Sequence, residues 1–161
     1  RFTLMSELDL GEASVKTLLK NLSDSGLTKP SVEGQTLSKK GAEIVKSLQS
    51  KIKGPVEIDA KGYAIENHNT AVLVKKCAEK IKSGVEQRDE AIKSGAFGAT
   101  TLVCEKGHLK FPTMDKKIEG LENILRNAFE IENGDVVIIA SAENHNKSGN
   151  AALSAALSLI K

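Results

Sequence analysis

Apolar residues recur through the first fifty positions at the spacing of short helices separated by tight turns. Val15, Leu18, Leu19 and Leu22 fall at i, i+3, i+4 and i+7, which places them on one stripe of a helix. Leu8 and Leu10 precede that helix across a turn, and Gly26 stops it. Residues 27–37, LTKPSVEGQTL, read as a short hairpin with Gly34 at its tip, and another helix opens at Ser38.

Helix, tight turn, helix, hairpin, helix is the order of a winged helix-turn-helix, which presents one helix to a DNA groove. With the stripe turned inward, Ser14, Lys16, Thr17, Lys20 and Asn21 point away from it, and none is a carboxylate. Glu12 and Asp24 sit at the two ends instead, and an acidic residue in the first turn suits the helix dipole. Lys29, Lys39 and Lys40 flank the hairpin, where they are placed to straddle a phosphate strand. These eight residues are the expected DNA contacts; a solvated helix face is the other reading of the same pattern.

Gly54-Pro55 is expected to break the helix that opens at Ser38, so a domain boundary is placed there, between residues 1–53 and 54–161. Beyond it the periodicity changes. Residues 56–58 read as a short strand, Lys61-Gly62 as a turn and residues 63–65 as a returning strand; residues 70–78 and 99–104 are apolar and β-branched enough for strands. Residues 84–94 read as a helix with Val85, Ala91 and Ile92 inward, and residues 118–129 as an amphipathic helix through Ile118, Leu121, Ile124, Leu125, Ala128 and Phe129. Lys106-Gly107 turns residues 99–104 onto residues 108–111, which Pro112 ends. Residues 136–140 form a buried strand and residues 151–160 a final Ala- and Leu-rich helix, apolar on two faces, one of them offered to a second subunit. The fold class is therefore α+β: a winged helix followed by a compact α/β sandwich in the strand and helix order of a ferredoxin-like domain.

Composition narrows this picture. A hydrophobic share of 40% supports a core, but aromatics are only 3% and Trp is absent, so that core is aliphatic. No apolar run reaches the length of a membrane span. Cys77 and Cys104 are not a C-x-x-C pair and read as reduced core thiols of a cytoplasmic protein. The formal charge of +2 is uneven: nine cations face six carboxylates up to Lys53, a net +3, and the remainder carries −1. The basic excess is small and falls on the half that would meet DNA.

Most chemical signatures are missing. There is no Walker or dinucleotide glycine loop, no nucleophile elbow, and no metal-ligand spacing among His68, His108, His145 and the two thiols. No catalytic residue, metal or cofactor is assigned. Three segments stand out: residues 86–89 at a helix start, the glycine-rich residues 95–101, and residues 141–146 after the buried strand, since loops at strand ends bind ligands in α/β sheets. They nominate Arg88, Asp89, Gly98, Thr100, Thr101, Glu143 and Asn144 as ligand-binding residues, against a structural salt bridge, a tight turn and a solvated loop.

Residues 2–52 resemble the winged-helix regulators of archaea and bacteria, through Leu8 and Leu10 at the turn, Ser14-Val15 at the helix start, the Leu18-Leu19 pair, Gly26-Leu27 at the helix exit and residues 37–41, LSKKG. Such domains open with one more helix, and the chain starts at Arg1 without an initiator Met, so residues upstream are expected. The whole chain resembles an archaeal family that joins a winged helix to an α/β domain of unknown function. Residues 1–4 with residues 10–12, GVEQRDEAIKSGAFGATTLV from Gly84 and NGDVVIIASA from Asn133 carry that likeness. The resemblance implies a transcription regulator and supplies no catalytic residues. The expected partners are double-stranded DNA, a small-molecule effector and a second copy of the chain, with no membrane. An enzyme with its site in the α/β domain and a protein-interaction module stay open as alternatives.

Overall fold

The computed structural model describes residues 2–160 apart from residues 61 and 66. Arg1 and the Lys61 half of the Lys61-Gly62 turn lie outside the described residues. The chain divides into two compact units, Arg1–Ser50 and Lys51–Lys161.

In the first unit, helices α1 (Phe2–Leu8) and α2 (Glu12–Asp24) are followed by strands β1 (Thr28–Ser31) and β2 (Gly34–Leu37) and by helix α3 (Lys39–Lys51). Asp9 takes a left-handed conformation that ends α1, and the Leu10 N–H reaches back to the Met5 carbonyl at 3.1 Å. Gly26, at φ +71°, ends α2: its N–H donates to the Ser23 carbonyl and the Leu27 N–H to the Leu22 carbonyl, which satisfies two otherwise orphaned acceptors. The hairpin turns on Val32-Glu33, with Ser31 opposite Gly34. Ser38 then caps α3, its hydroxyl accepting from the Gly41 N–H at 3.0 Å and donating to the Gly26 carbonyl at 2.6 Å. The unit is thin. Among its described residues only Val15 and Gly41 are buried; Leu19 and Leu22 are half-buried, and Leu18 is exposed. The expected stripe on α2 is thus only partly covered, because so small a unit has little interior to offer.

The second unit is built on one sheet. Its strands are β3 (Ile52–Ile58), β4 (His68–Val74), β5 (Gly98–Glu105), β6 (His108–Phe111), β7 (Met114–Lys117) and β8 (Val136–Ala142). Helices α4 (Val85–Lys93), α5 (Leu121–Ala128) and α6 (His145–Leu159) complete it. The order across the sheet is β3-β4-β8-β5-β6-β7, and every neighbouring pair is antiparallel. This corrects the ferredoxin-like expectation. There β4 would lie between β8 and β6; here β8 lies between β4 and β5. Its sequence, VVIIASA, is buried throughout, which suits a central strand covered on both faces.

Side chains alternate strictly across that centre. Val72, Val74, Val103, Val136, Ile138 and Ala140 face α4 and α6, meeting Ala91, Ala151, Ala155 and Leu159. Leu73, Leu102, Cys104, Val137 and Ile139 face the other way, against Leu121, Leu125 and Phe129 of α5 and its flank. Both thiols are free and buried, and burial pushes the Cys104 thiol above its ordinary value.

Several local expectations change. Gly54-Pro55 does not end a helix: α3 stops at Lys51, and β3 runs through the pair with a register shift between Lys53 and Val56. Gly54, at φ +100°, lies so close to the Ala71 carbonyl that a Cβ there would sit 2.9 Å from its oxygen. Residues 63–65 make a turn rather than a strand, and β7 follows Pro112 as an extra edge strand. On α4 the inward residues are Gln87 and Ala91, one helical turn apart, while Val85 and Ile92, seven apart, share an exposed face. Helix α6 begins at His145, and its buried face is Ser148, Ala151, Ala152, Ala155, Ala156 and Leu159. Leu159 therefore belongs to the unit's own core, and it is Leu157 that stays 39% exposed. No described helix is long and apolar enough to cross a membrane.

A fragment that starts at Lys51 is expected to melt in one cooperative transition on its own, because Ile52 pairs with Val74 and is buried in this sheet. A fragment starting at Pro55 loses that pairing and should melt at lower temperature. Circular dichroism melts of the two fragments check this; equal melting temperatures would contradict it.

Candidate functional site

Helix α2 carries the first set of candidate residues. Ser14, Lys16, Thr17, Lys20 and Asn21 are all exposed, as are Lys29 on β1 and Lys39 and Lys40 at the start of α3. Three of them have local partners. Lys16 pairs with Glu12 at 3.1 Å, the Thr17 hydroxyl donates to the Ala13 carbonyl at 3.0 Å, and the Lys40 ammonium donates to the Ser25 carbonyl at 3.1 Å. An exposed i, i+4 pair such as Glu12–Lys16 is worth only tenths of a kcal/mol, roughly 0.3–0.5, so it yields readily to a phosphate. Lys40 is different in kind, because it also holds the chain where α2 ends.

The candidate ligand residues of the second unit do not converge on one place. Arg88, Thr100 and Thr101 do meet, lining a cleft of about 190 Å³ together with Ser83, Gly84 and Val85. The β6–β7 turn, residues 111–114, closes its far side. Its floor is the β5 backbone at residues 99–101: β8 pairs with β5 from Gly98 to Val103, whereas β6 pairs with it only from Val103 onward. Thr100 uses its hydroxyl elsewhere, donating to the Tyr63 carbonyl at 3.0 Å. Asp89 lines a larger concavity of about 560 Å³ between α4 and the end of α6, and holds Arg88 at 3.2 Å. Gly98 is covered by Ile65, whose Cδ1 would lie 2.6 Å from a Cβ at that position; this is the tip of an exposed, flexible side chain that can swing aside.

Glu143 and Asn144 lie apart from that cleft and serve α6. Asn144 caps the helix, its side-chain oxygen accepting from the Lys147 N–H at 2.8 Å. Glu143 bonds the Lys147 ammonium at 2.6 Å, which holds its carboxyl below the usual value. The His residues also regroup: His68 and His145, far apart in the chain, stack edge-on with ring centres 4.8 Å apart, and Glu57 lies 3.5 Å from His145 Nε2. Among the described residues no group of three or more His, Cys, Asp or Glu side chains has the geometry to hold a metal ion. Sequence reasoning missed Ser83, Gly84 and the β6–β7 turn as parts of the cleft. The signals were Gly84 directly before a helix and Pro112-Thr113 directly after the short segment His108–Phe111.

Residues 65–159 match the family described as Domain of unknown function (DUF4443). No curated protein matches the chain. Among solved structures, a hypothetical protein from Pyrococcus horikoshii OT3 is similar, at 31% identity and a TM-score of 0.76. The likeness covers 98% of this chain and 82% of that one, so it takes in both units. On the extent of both matches, the chain belongs to the DUF4443 family.

Proposed function

We propose that this protein is a DNA-binding transcription regulator, in which the first unit is a winged helix-turn-helix and the second senses a small molecule. The observation that carries this is the α1–turn–α2–hairpin–α3 order, with a three-residue turn and an exposed α2 face of Ser14, Lys16, Thr17, Lys20 and Asn21. In this reading α2 enters the major groove, the β1–β2 hairpin is the wing, and Lys29 and Lys39 contact phosphates beside it. A homodimer belongs to the same reading, since twofold pairing doubles the phosphates and bases met. Exposed Phe2 on α1 and Val32 at the hairpin tip favour a second reading, a protein-interaction module.

The double variant Lys20→Ala/Lys29→Ala tests the first reading, because neither side chain has a salt-bridge partner among the described residues and their loss leaves the unit's packing intact. Its affinity for duplex DNA should fall, and the slope of log affinity against log salt should flatten by about one unit per lost phosphate contact. Gel-shift titration across salt reads both. Wild-type affinity and slope in the variant would remove α2 and the hairpin from the DNA interface.

A further inference from the structure

The cleft between the start of α4 and the β6–β7 turn has the parts of a site for a small organic anion. Helix α4 begins at Gly84, which is in the left-handed region at φ +83° and supplies no side-chain cap. The Val85 N–H has only a long contact, 3.4 Å, to the Ser83 hydroxyl. An uncapped helix start offers N–H groups and the positive end of the helix dipole to an anion. A second feature is independent of the helix. Thr101, on the cleft floor, is only 5% exposed, yet its hydroxyl oxygen has no hydrogen-bond partner. A hydroxyl buried without a partner loses its hydration and gains nothing in return, so its retention calls for an explanation.

Gly84 and Thr101 fit each other. A Cβ on Gly84 would stand 2.9 Å from Thr101 Cβ, so glycine there lets the helix start close down on the threonine. Arg88, one turn along α4, lines the same cleft and brings a planar cationic group; its tie to Asp89 is between two half-exposed side chains and is weak. The opposite wall, the β6–β7 turn, brings Phe111, Pro112 and Met114 together with the polar Thr113, and Val85 adds an apolar side chain beside the helix start. Val85 and Met114 line the cleft and are both exposed.

We propose that this cleft binds a small organic anion, with its carboxylate or phosphoryl oxygens at the α4 start, Thr101 and Arg88, and its apolar part against Val85 and Met114. At about 190 Å³ the cleft is smaller than the pockets that hold drug-sized ligands, which makes small aromatic anions such as benzoate and phenyl phosphate suitable probes. This deepens the sensing half of the proposed function; it rests on that reading only for its regulatory consequence, because binding is measured without DNA.

The full chain, labelled with ¹⁵N, is titrated with benzoate, phenyl phosphate, acetate and inorganic phosphate at constant ionic strength, with chloride as the control. Benzoate or phenyl phosphate should give saturable shifts of the amide signals of residues 84–88 and 100–101, and should bind more tightly than acetate or inorganic phosphate. Whichever of the two binds more tightly identifies the oxygen group. Thr101→Val keeps the shape, should leave the melting temperature equal or higher, and should weaken binding about tenfold, the loss of one hydrogen bond to a charged group. Arg88→Gln should weaken it about fivefold, as expected for a partly exposed ion pair. Shifts equal to those of chloride, shifts confined to other residues, or unchanged affinity in both variants would overturn the proposal. A gel shift that fails while these titrations succeed would dismiss the DNA reading and leave the anion site standing.

Discussion

Replacing Asp135 by Ala is expected to destabilise the second unit by about 3–5 kcal/mol, the cost of breaking a buried charge network. Asp135 sits just before β8 and is fully buried. One carboxylate oxygen accepts from the Lys75 ammonium at 3.0 Å and from the Glu132 N–H at 2.9 Å, and the other from the Lys76 N–H at 3.0 Å. These bonds tie the end of β4 to the start of β8, two neighbouring interior strands of the sheet. They also hold Lys76 at φ +53°, a conformation that few side chains other than glycine adopt unaided. Ala would leave two backbone N–H groups without their acceptor, and would leave the Lys75 ammonium to the Glu130 carbonyl at 2.8 Å and the Glu132 carboxylate at 4.0 Å. Lys75→Met removes only one donor and keeps the alkyl stem, so it should cost clearly less. Urea unfolding of both variants gives the comparison; a loss below about 1 kcal/mol for Asp135→Ala, the net worth of one ordinary hydrogen bond, would mean that the network is ornamental to stability.

Gly41→Ala is expected to unfold the first unit while the second stays folded. Gly41 lies in the first turn of α3, and a Cβ there would overlap the Leu27 carbonyl oxygen, a backbone atom that cannot swing aside. Helix α3 would have to lift away from the end of α2, breaking the Ser38 contacts to Gly26 and Gly41. Overpacking typically costs about 1–3 kcal/mol, and a clash with a fixed backbone atom belongs at the upper end of that range. With only Val15 and Gly41 buried among its described residues, the first unit has little reserve to absorb that. Amide hydrogen exchange should show protection lost over Arg1–Ser50 and kept in β4 and β8. Protection kept in both units would show that α3 can shift cheaply. On the regulator reading the same variant also loses DNA binding, whereas Lys20→Ala/Lys29→Ala loses it without unfolding.

Read without any structure, the chain determined what local pattern can determine. The i, i+3, i+4, i+7 spacing marked α2, Gly26 marked its end, and the two hydrophobic runs around Lys106-Gly107 marked β5 and β6. The unbroken run VVIIA marked β8 as buried on both faces. Each of these follows from helix or strand period and from turn chemistry, which involve residues a few positions apart. Strand order was beyond such signals. Whether β8 pairs beside β4 and β5 depends on segments tens of residues apart competing for the same edges. The same holds for the face of a helix that is apolar nearly all round: α6 has two candidate stripes, and only packing on β4, β8 and α4 selects Ala151, Ala155 and Leu159 over Leu157. Candidate chemistry divided in the same way. Arg88 and Thr101 were legible as polar groups near a glycine-rich turn, and so were Glu143 and Asn144, which proved to serve a helix cap. Only the folded sheet set Thr101 against Gly84 and brought the β6–β7 turn across from them, because a cleft is made by three elements whose approach no single segment encodes.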